Sequence, residues 1–121
     1  MWAVKRPRFQ EPFFWALFSA GGTLAALVLP ALAFTLWLAA PLGWTHRRPR
    51  EDLLAVAAHP LGRLFLAAVV VLSLFHGAHR FRYTLYDGLQ LKHLNALIAA
   101  ICYGGAAVGS VVVLALLWSL P

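Results

Sequence analysis

The chain alternates long uncharged stretches with short charged ones. No Lys, Arg, Asp or Glu occurs between Glu11 and Arg47, from Leu64 to His79, or from His93 to Pro121. A helix needs about 20 predominantly apolar residues to cross a bilayer. The pattern predicts three such helices, at residues 13–39, 61–82 and 94–119. They leave an N-terminal segment at 1–12, a loop at 40–60 and a turn at 83–93 around Asp87-Gly88. Pro30 falls inside the first helix and is expected to kink it, because proline removes a backbone donor. Pro41-Leu42-Gly43-Trp44 reads as the exit of that helix, Leu53 to Ala58 as a candidate interfacial helix, and His59 to Arg63 as the opening of the second span. A signal peptide is the rival reading of the N-terminal third, but the apolar run is too long for one. No repeat or low-complexity tract is visible.

Composition turns this pattern into a class. The 121 residues are 62% hydrophobic and 12% charged, against about 25% charged in a typical soluble domain. So short a chain cannot hide that much apolar surface in its own core. The expected fold is an all-α membrane protein with three transmembrane helices. The net charge of +6 then concerns orientation in the membrane rather than nucleic acid. With the N-terminus inside, the inner segments carry Lys5, Arg6, Arg8, Arg80, Arg82 and Lys92, and the outer loop carries Arg47, Arg48, Arg50 and Arg63. That bias predicts a cytoplasmic N-terminus and an outer C-terminus in the cytoplasmic (inner) membrane. The single cysteine, Cys102, excludes an internal disulfide and a Cys-ligated cluster within the chain. No GxGxxG or P-loop glycine pattern occurs, so a soluble catalytic centre is not expected.

The polar residues of the second helix carry the candidate chemistry. At 100° per residue Ser73, His76, Arg80, Tyr83 and Asp87 fall on one stripe, with His79 at its flank. Polar groups at depth are costly against lipid, so the stripe is expected to face protein, water or a ligand. The outer members, Arg82 and Tyr83 among them, also fit a plain interfacial helix end. A hydrogen bond between helices equally accounts for His76. Metal binding by His76 and His79 is disfavoured, since no carboxylate stands at matching spacing. With the N-terminus inside, the start of the first helix and the end of the second share the cytoplasmic face. Trp15 and Phe18 then lie at roughly the depth of His79 and Arg80. Small residues thin two helices: Ala16, Ala20, Gly21 and Gly22 on the first, and Gly104, Gly105, Gly109 and Ser110 on the third. Such faces let backbones approach closely, either within the chain or against a partner in a larger helical bundle.

Read together, Glu11-Pro12, Phe14-Trp15, Leu17-Phe18, Ala20-Gly21-Gly22, Pro30, Pro41-Leu42-Gly43, Gly62-Arg63 with Phe65-Leu66, and Gly77-x-His79-Arg80 form an ordered set. In that order and spacing the chain resembles the D subunit of bacterial fumarate reductase, over nearly its whole length. The last helix matches mainly in character. The resemblance implies a membrane anchor that pairs with a second three-helix anchor, the C subunit. Together they would hold a flavoprotein and an iron–sulfur subunit at the cytoplasmic face. It implies menaquinone bound at the interface with those partners, FAD and iron–sulfur clusters only in the partners, and no haem. Trp15 and the pair His79-Arg80 match the family's quinone pocket. The stretch from Arg80 to His93 departs from the family's more His-rich tail, so no contact beyond Arg80 carries over.

The residues themselves suit that role. A quinone head needs a flat apolar wall and donors aimed at its oxygens. Trp15 and Phe18 offer the wall, and Trp15 an indole N–H. His79 can donate or accept near neutral pH, and Arg80 is a permanent donor for charge developing on a quinone oxygen. The expected site is therefore Trp15, Phe18, His76, His79 and Arg80, with no catalytic residue, no metal ligand and no redox cofactor held by this chain alone. Rival readings are the anchor of a succinate dehydrogenase, a purely structural anchor without quinone contact, and a haem-binding anchor using His76. A small multidrug-type transporter would need an acidic residue in mid-span, and none is present.

Overall fold

A computed structural model describes residues 11–45 and 48–121. The N-terminal segment before Glu11, with Lys5, Arg6 and Arg8, and the loop residue Arg47 lie outside the described residues. Among the described residues all regular structure is helical. Helix α1 runs from Glu11 to Ala39, α2 from Pro49 to Ala58, α3 from Pro60 to Gly88, and α4 from Asn95 to Ser119 after a short 3-10 turn at Lys92–Leu94. Glu11–Ala39, Pro60–Gly88 and Lys92–Ser119 are each long and apolar enough to cross a membrane. At 1.5 Å per residue, the 29 residues of α1 or α3 extend roughly 44 Å, against about 30 Å of hydrocarbon. Their ends therefore reach into the head-group region.

Helix α1 continues through Pro30, and its irregularity lies beyond that residue. Phe34–Ala39 winds as a π-helix, and the N–H of Ala40 reaches the carbonyl of Thr35 at 3.0 Å. The hydroxyls of Thr23 and Thr35 donate to the carbonyls of Ser19 and Ala31, which satisfies them inside an apolar span. Gly43, at φ +72°, ends the helix. The N–H of Gly43 bonds the Ala40 carbonyl and that of Trp44 the Ala39 carbonyl, a Schellman stop that needs a residue tolerant of positive φ.

The short helix begins at Pro49, earlier than the expected Leu53. Proline suits the first turn, and Glu51 and Asp52 add carboxylates at the positive end of the helix dipole. His59 closes α2 and caps α3, its Nδ1 accepting from Leu61 N–H at 3.2 Å. Arg63 fastens this end of the molecule. Its Nε donates to the Ala57 carbonyl at 2.9 Å, its Nη2 to the Leu120 carbonyl at 3.3 Å, and its guanidinium lies over the Trp118 ring.

Helix α3 also differs from expectation, running past residue 82 to Gly88. Residues 83–88 of the expected turn are helical because Arg82 and Tyr86 find hydrogen-bond partners on Tyr103 and Asn95 of α4. The reversal follows at Gln90, at φ 54°.

The three long helices form an open row. α1 and α4 each pack along α3, and among the described residues they make no extended contact with one another. The α1–α3 seam is set by Gly21, where an added Cβ would come within 2.6 Å of the Leu72 carbonyl oxygen. The α3–α4 seam holds Tyr86, Ile98 and Cys102, with Ala106 and Ser110 buried further along α4. Gly109 lies under the Leu74 side chain, whereas Gly104 and Gly105 face open space. The interior is thin: Val69 is buried at 1% exposure while Trp37, at 81%, stands clear of the fold. Such a surface suits lipid and partner helices as its solvent.

Gly21→Ala is expected to force α1 away from α3 against a backbone atom that cannot swing aside. Overpacking of this kind costs about 1–3 kcal/mol. Thermal melting of the detergent-purified protein should drop accordingly, and an unchanged melt would mean that this seam does not set the helix spacing.

Candidate functional site

The two seams generate the site. Because α1 and α4 flank α3 without extended contact between them, a cleft remains over α3 near the start of α1 and the later turns of α3. It encloses about 410 Å³ and is lined by Phe14, Trp15, Leu17 and Phe18 of α1, by Leu72, Phe75, His76 and His79 of α3, and by Tyr103 of α4. Four of the five expected site residues, Trp15, Phe18, His76 and His79, are brought together here. Arg80 is not. It is not one of the lining residues, is exposed, and makes no side-chain hydrogen bond or ion pair with the described residues.

Gly22 explains how His76 enters. An added Cβ there would lie 2.6 Å from His76 Cε1, so the missing side chain is the berth of the imidazole. The ring stacks on Phe18, with centroids 4.3 Å apart and planes at 26°. Its Nδ1 lies 3.0 Å from the Phe18 carbonyl oxygen. A carbonyl only accepts, so His76 donates from Nδ1 and ties α3 to α1. Phe18 also meets His79 edge to face at 4.8 Å and Trp15 at 5.9 Å. Aromatic groups thus touch in sequence from Trp15 to His79.

His79 looks the other way, toward α4. Its Nδ1 is 2.7 Å from the Tyr103 hydroxyl. That hydroxyl also accepts from Arg82 Nη1 at 3.3 Å. The remaining nitrogens of Arg82 are engaged too: Nε donates to Tyr86 Oη at 2.6 Å and Nη2 to Asn95 Oδ1 at 2.9 Å. The Tyr86 hydroxyl donates to the backbone carbonyl of Asn95 and also touches its side-chain oxygen. The guanidinium lies between 5.2 and 5.5 Å from the ring centres of Tyr83, Tyr86 and Tyr103. A charge near the membrane interior is tolerable when each of its nitrogens has an acceptor and aromatic faces surround it.

The polar residues of α3 therefore divide between two faces, and Arg82 and Tyr86 lie outside the predicted stripe. His76 and His79 border the cleft, while Arg82 and Tyr86 face α4. Tyr83 and Asp87 are exposed, and Asp87 pairs with Lys92 at 3.5 Å across an exposed surface, where such pairs contribute little. Ser73, deeper along α3, keeps a buried hydroxyl without a partner and is not part of the cleft lining. Sequence reasoning misses Tyr103 and Asn95. The available signal is that they are polar residues in the first half of an otherwise apolar helix. It also puts Arg82 at the interface, though its spacing to Tyr86 is one helical turn. Among the described residues no three His, Cys, Asp or Glu side chains converge as metal ligands would.

The meeting of Trp15 and Phe18 with His76 and His79 follows from consecutive antiparallel helices. It holds whichever way the chain is inserted, so it is not an argument for a cytoplasmic N-terminus.

Comparison with known proteins adds an independent line. The family model for the D subunit of fumarate reductase matches residues 5–118. A protein from Mycobacterium tuberculosis that is named as a fumarate reductase D subunit is 49% identical over 108 residues, covering 89% of this chain and 86% of its own length. One of the same name from Haemophilus ducreyi is 36% identical over 107 residues, covering 88% and 89%. The match spans all three long helices and both seams that build the cleft, and on that extent and identity the chain belongs to the family of fumarate reductase D subunits.

Proposed function

We propose that the chain is a membrane anchor of a fumarate reductase complex and that its cleft is one wall of a menaquinol site. The carrying observation is the cleft itself, where aromatic side chains and two imidazoles meet between α1 and the later turns of α3. With roughly 44 Å helices in a 30 Å core, about 7 Å at each end lies outside the hydrocarbon. Trp15 then sits near the boundary, and His76 and His79 lie about one to two turns below it. The donor set fits a quinone: flat walls from Trp15 and Phe18, and ring nitrogens for two oxygens. Menaquinol, when bound, supplies the electrons that reach fumarate through FAD and iron–sulfur clusters in partner subunits. This chain's residues orient the head group, exclude water with their aromatic wall, and hold or pass a proton at an imidazole nitrogen. Arg80, exposed beside His79, belongs to the rim, where partner subunits would close the open side. An iron–sulfur subunit, a flavoprotein and a second three-helix anchor are the expected partners. The succinate dehydrogenase reading uses the same wall in the opposite direction, and no observation favours it.

The open helix row gives the partner anchor a place. Gly104 and Gly105 present bare backbone to open space, so Gly105→Leu should lower the yield of intact complex while leaving this chain's own seams untouched. Normal yield would mean that lipid covers this face.

Orientation is expected to be N-terminus cytoplasmic and C-terminus outside in the inner membrane, on the distribution of Lys and Arg. Reporter fusions at both ends check it. A cytoplasmic C-terminus would put the cleft at the outer face, away from any cytoplasmic flavoprotein.

His79→Leu tests the site. Losing a hydrogen bond to a group that develops charge costs about 1.5–3 kcal/mol, or roughly 10- to 150-fold in rate. Quinol-driven fumarate reduction should fall by that factor. Reduction driven by a soluble viologen dye, which enters at the cofactor-bearing subunits, should hold. A parallel fall in both assays would mean that His79 serves assembly, and no fall in either would leave a purely structural anchor.

A further inference from the structure

The hydrogen bonds around the two cleft histidines fix their ring protons in opposite senses. We infer that His76 presents a ring acceptor and His79 a ring donor to the cleft, and that Tyr103, held by Arg82, is the positioning residue that makes His79 a donor. This rests on the quinone-site reading and assigns hydrogen-bond polarity within it.

The derivation starts from a group that cannot change. The Arg82 guanidinium has donors only, so Tyr103 Oη must accept from Arg82 Nη1. The hydroxyl keeps one proton, and its other polar neighbour is His79 Nδ1 at 2.7 Å. Pointing that proton at Nδ1 uses every group. The alternative, with Nδ1 protonated, leaves the tyrosine proton without an acceptor in a half-buried seam. Nδ1 of His79 is thus an acceptor, and the neutral ring carries its proton on Nε2. His76 is the reverse. Its Nδ1 faces the Phe18 carbonyl and must donate, so Nε2 carries the lone pair. Neither Nε2 has a hydrogen-bond partner among the described residues.

A quinol head group would be read with direction: one hydroxyl would donate to His76 Nε2, and the oxygen at its other end would accept from His79 Nε2. Arg82 is not itself one of the residues that line the cleft. It acts through Tyr103, and its bonds to Tyr86 and Asn95 keep it from turning away.

The test uses the assembled complex labelled with nitrogen-15 histidine. Resonances lost in His79→Gln belong to His79, and those lost in His76→Gln to His76. Expected are a pyridine-type Nδ1 with a protonated Nε2 for His79, and the opposite pattern for His76. Tyr103→Phe should disturb the first and spare the second. A protonated Nδ1 on neutral His79 in the parent complex overturns the inference without any Tyr103 variant. Binding of menadione, a soluble naphthoquinone, gives the functional arm. Tyr103→Phe should weaken it about 2- to 10-fold, the size of one neutral hydrogen bond. In a His79→Gln background the same change should add nothing. An equal loss in both backgrounds assigns Tyr103 to the fold alone and overturns its positioning role. If His79→Gln changes neither menadione binding nor quinol-driven turnover, the quinone site itself falls and this inference with it.

Discussion

The approach of α1 to α3 at Gly21 and Gly22 is the constraint on which the rest of the structure depends. At Gly21 a single Cβ would press on the Leu72 carbonyl, so the two backbones can be this close only where that side chain is missing. One residue on, the same closeness is used differently. The space over Gly22 is filled by the His76 ring, which lies flat against Phe18 and donates to its carbonyl. The helix contact and the cleft wall are therefore one feature. A wider seam would leave His76 with no carbonyl to reach, Phe18 with no ring to stack on, and a polar group facing lipid at a cost of several kcal/mol.

The second seam answers a different demand. α4 brings almost no polar groups, yet it must accommodate an arginine that α3 carries within its last turns. The solution spends Tyr103, Asn95 and Tyr86 on the three nitrogens of Arg82. Hydrogen bonds between membrane helices contribute modestly, about 0.6–2 kcal/mol each, so the benefit lies less in adhesion than in giving each guanidinium nitrogen an acceptor. The same clamp delays the end of α3 to Gly88 and sets Tyr103 beside His79. Without it Arg82 could extend to the head groups, as lone arginines near helix ends do.

How much of this is legible in the sequence follows from what each feature rests on. The spans depend on missing charges, a property of single positions, and the three long helices follow the uncharged stretches. Gly21 and Gly22 are visible as a thin face, and Trp15, Phe18, His76 and His79 group by depth along two antiparallel helices. Arg80 joins them on a helical wheel because it shares a stripe with His76. Rotation about the α3 axis is set by what α1 and α4 require, and that turns Arg80 outward while aiming Arg82 at α4. Tyr103 is hidden for the same reason: its role comes from a neighbour on another helix, and no spacing within α4 encodes it. The π-helical stretch after Pro30 is equally out of reach, since proline announces a disturbed ladder without saying how the chain absorbs it.

An open row of three helices leaves one cleft half walled. Phe14 and Trp15 are exposed at its edge, as are Gly104 and Gly105 on α4. In water this would be a defect; in a complex it is an invitation to specific neighbours. Family membership makes those neighbours the other fumarate reductase subunits, and the division of labour follows from chemistry. In the proposed function the electrons are carried by cofactors in those partners. In that proposal this chain holds a flat, two-oxygen ring against rigid helices. Rigidity is the contribution that matters, because hydrogen-bond geometry at a reacting oxygen must be held to fractions of an ångström. Gly21 supplies it on one side and the Arg82 clamp on the other, and His76 and His79, three residues apart on α3, are each fixed from a different seam.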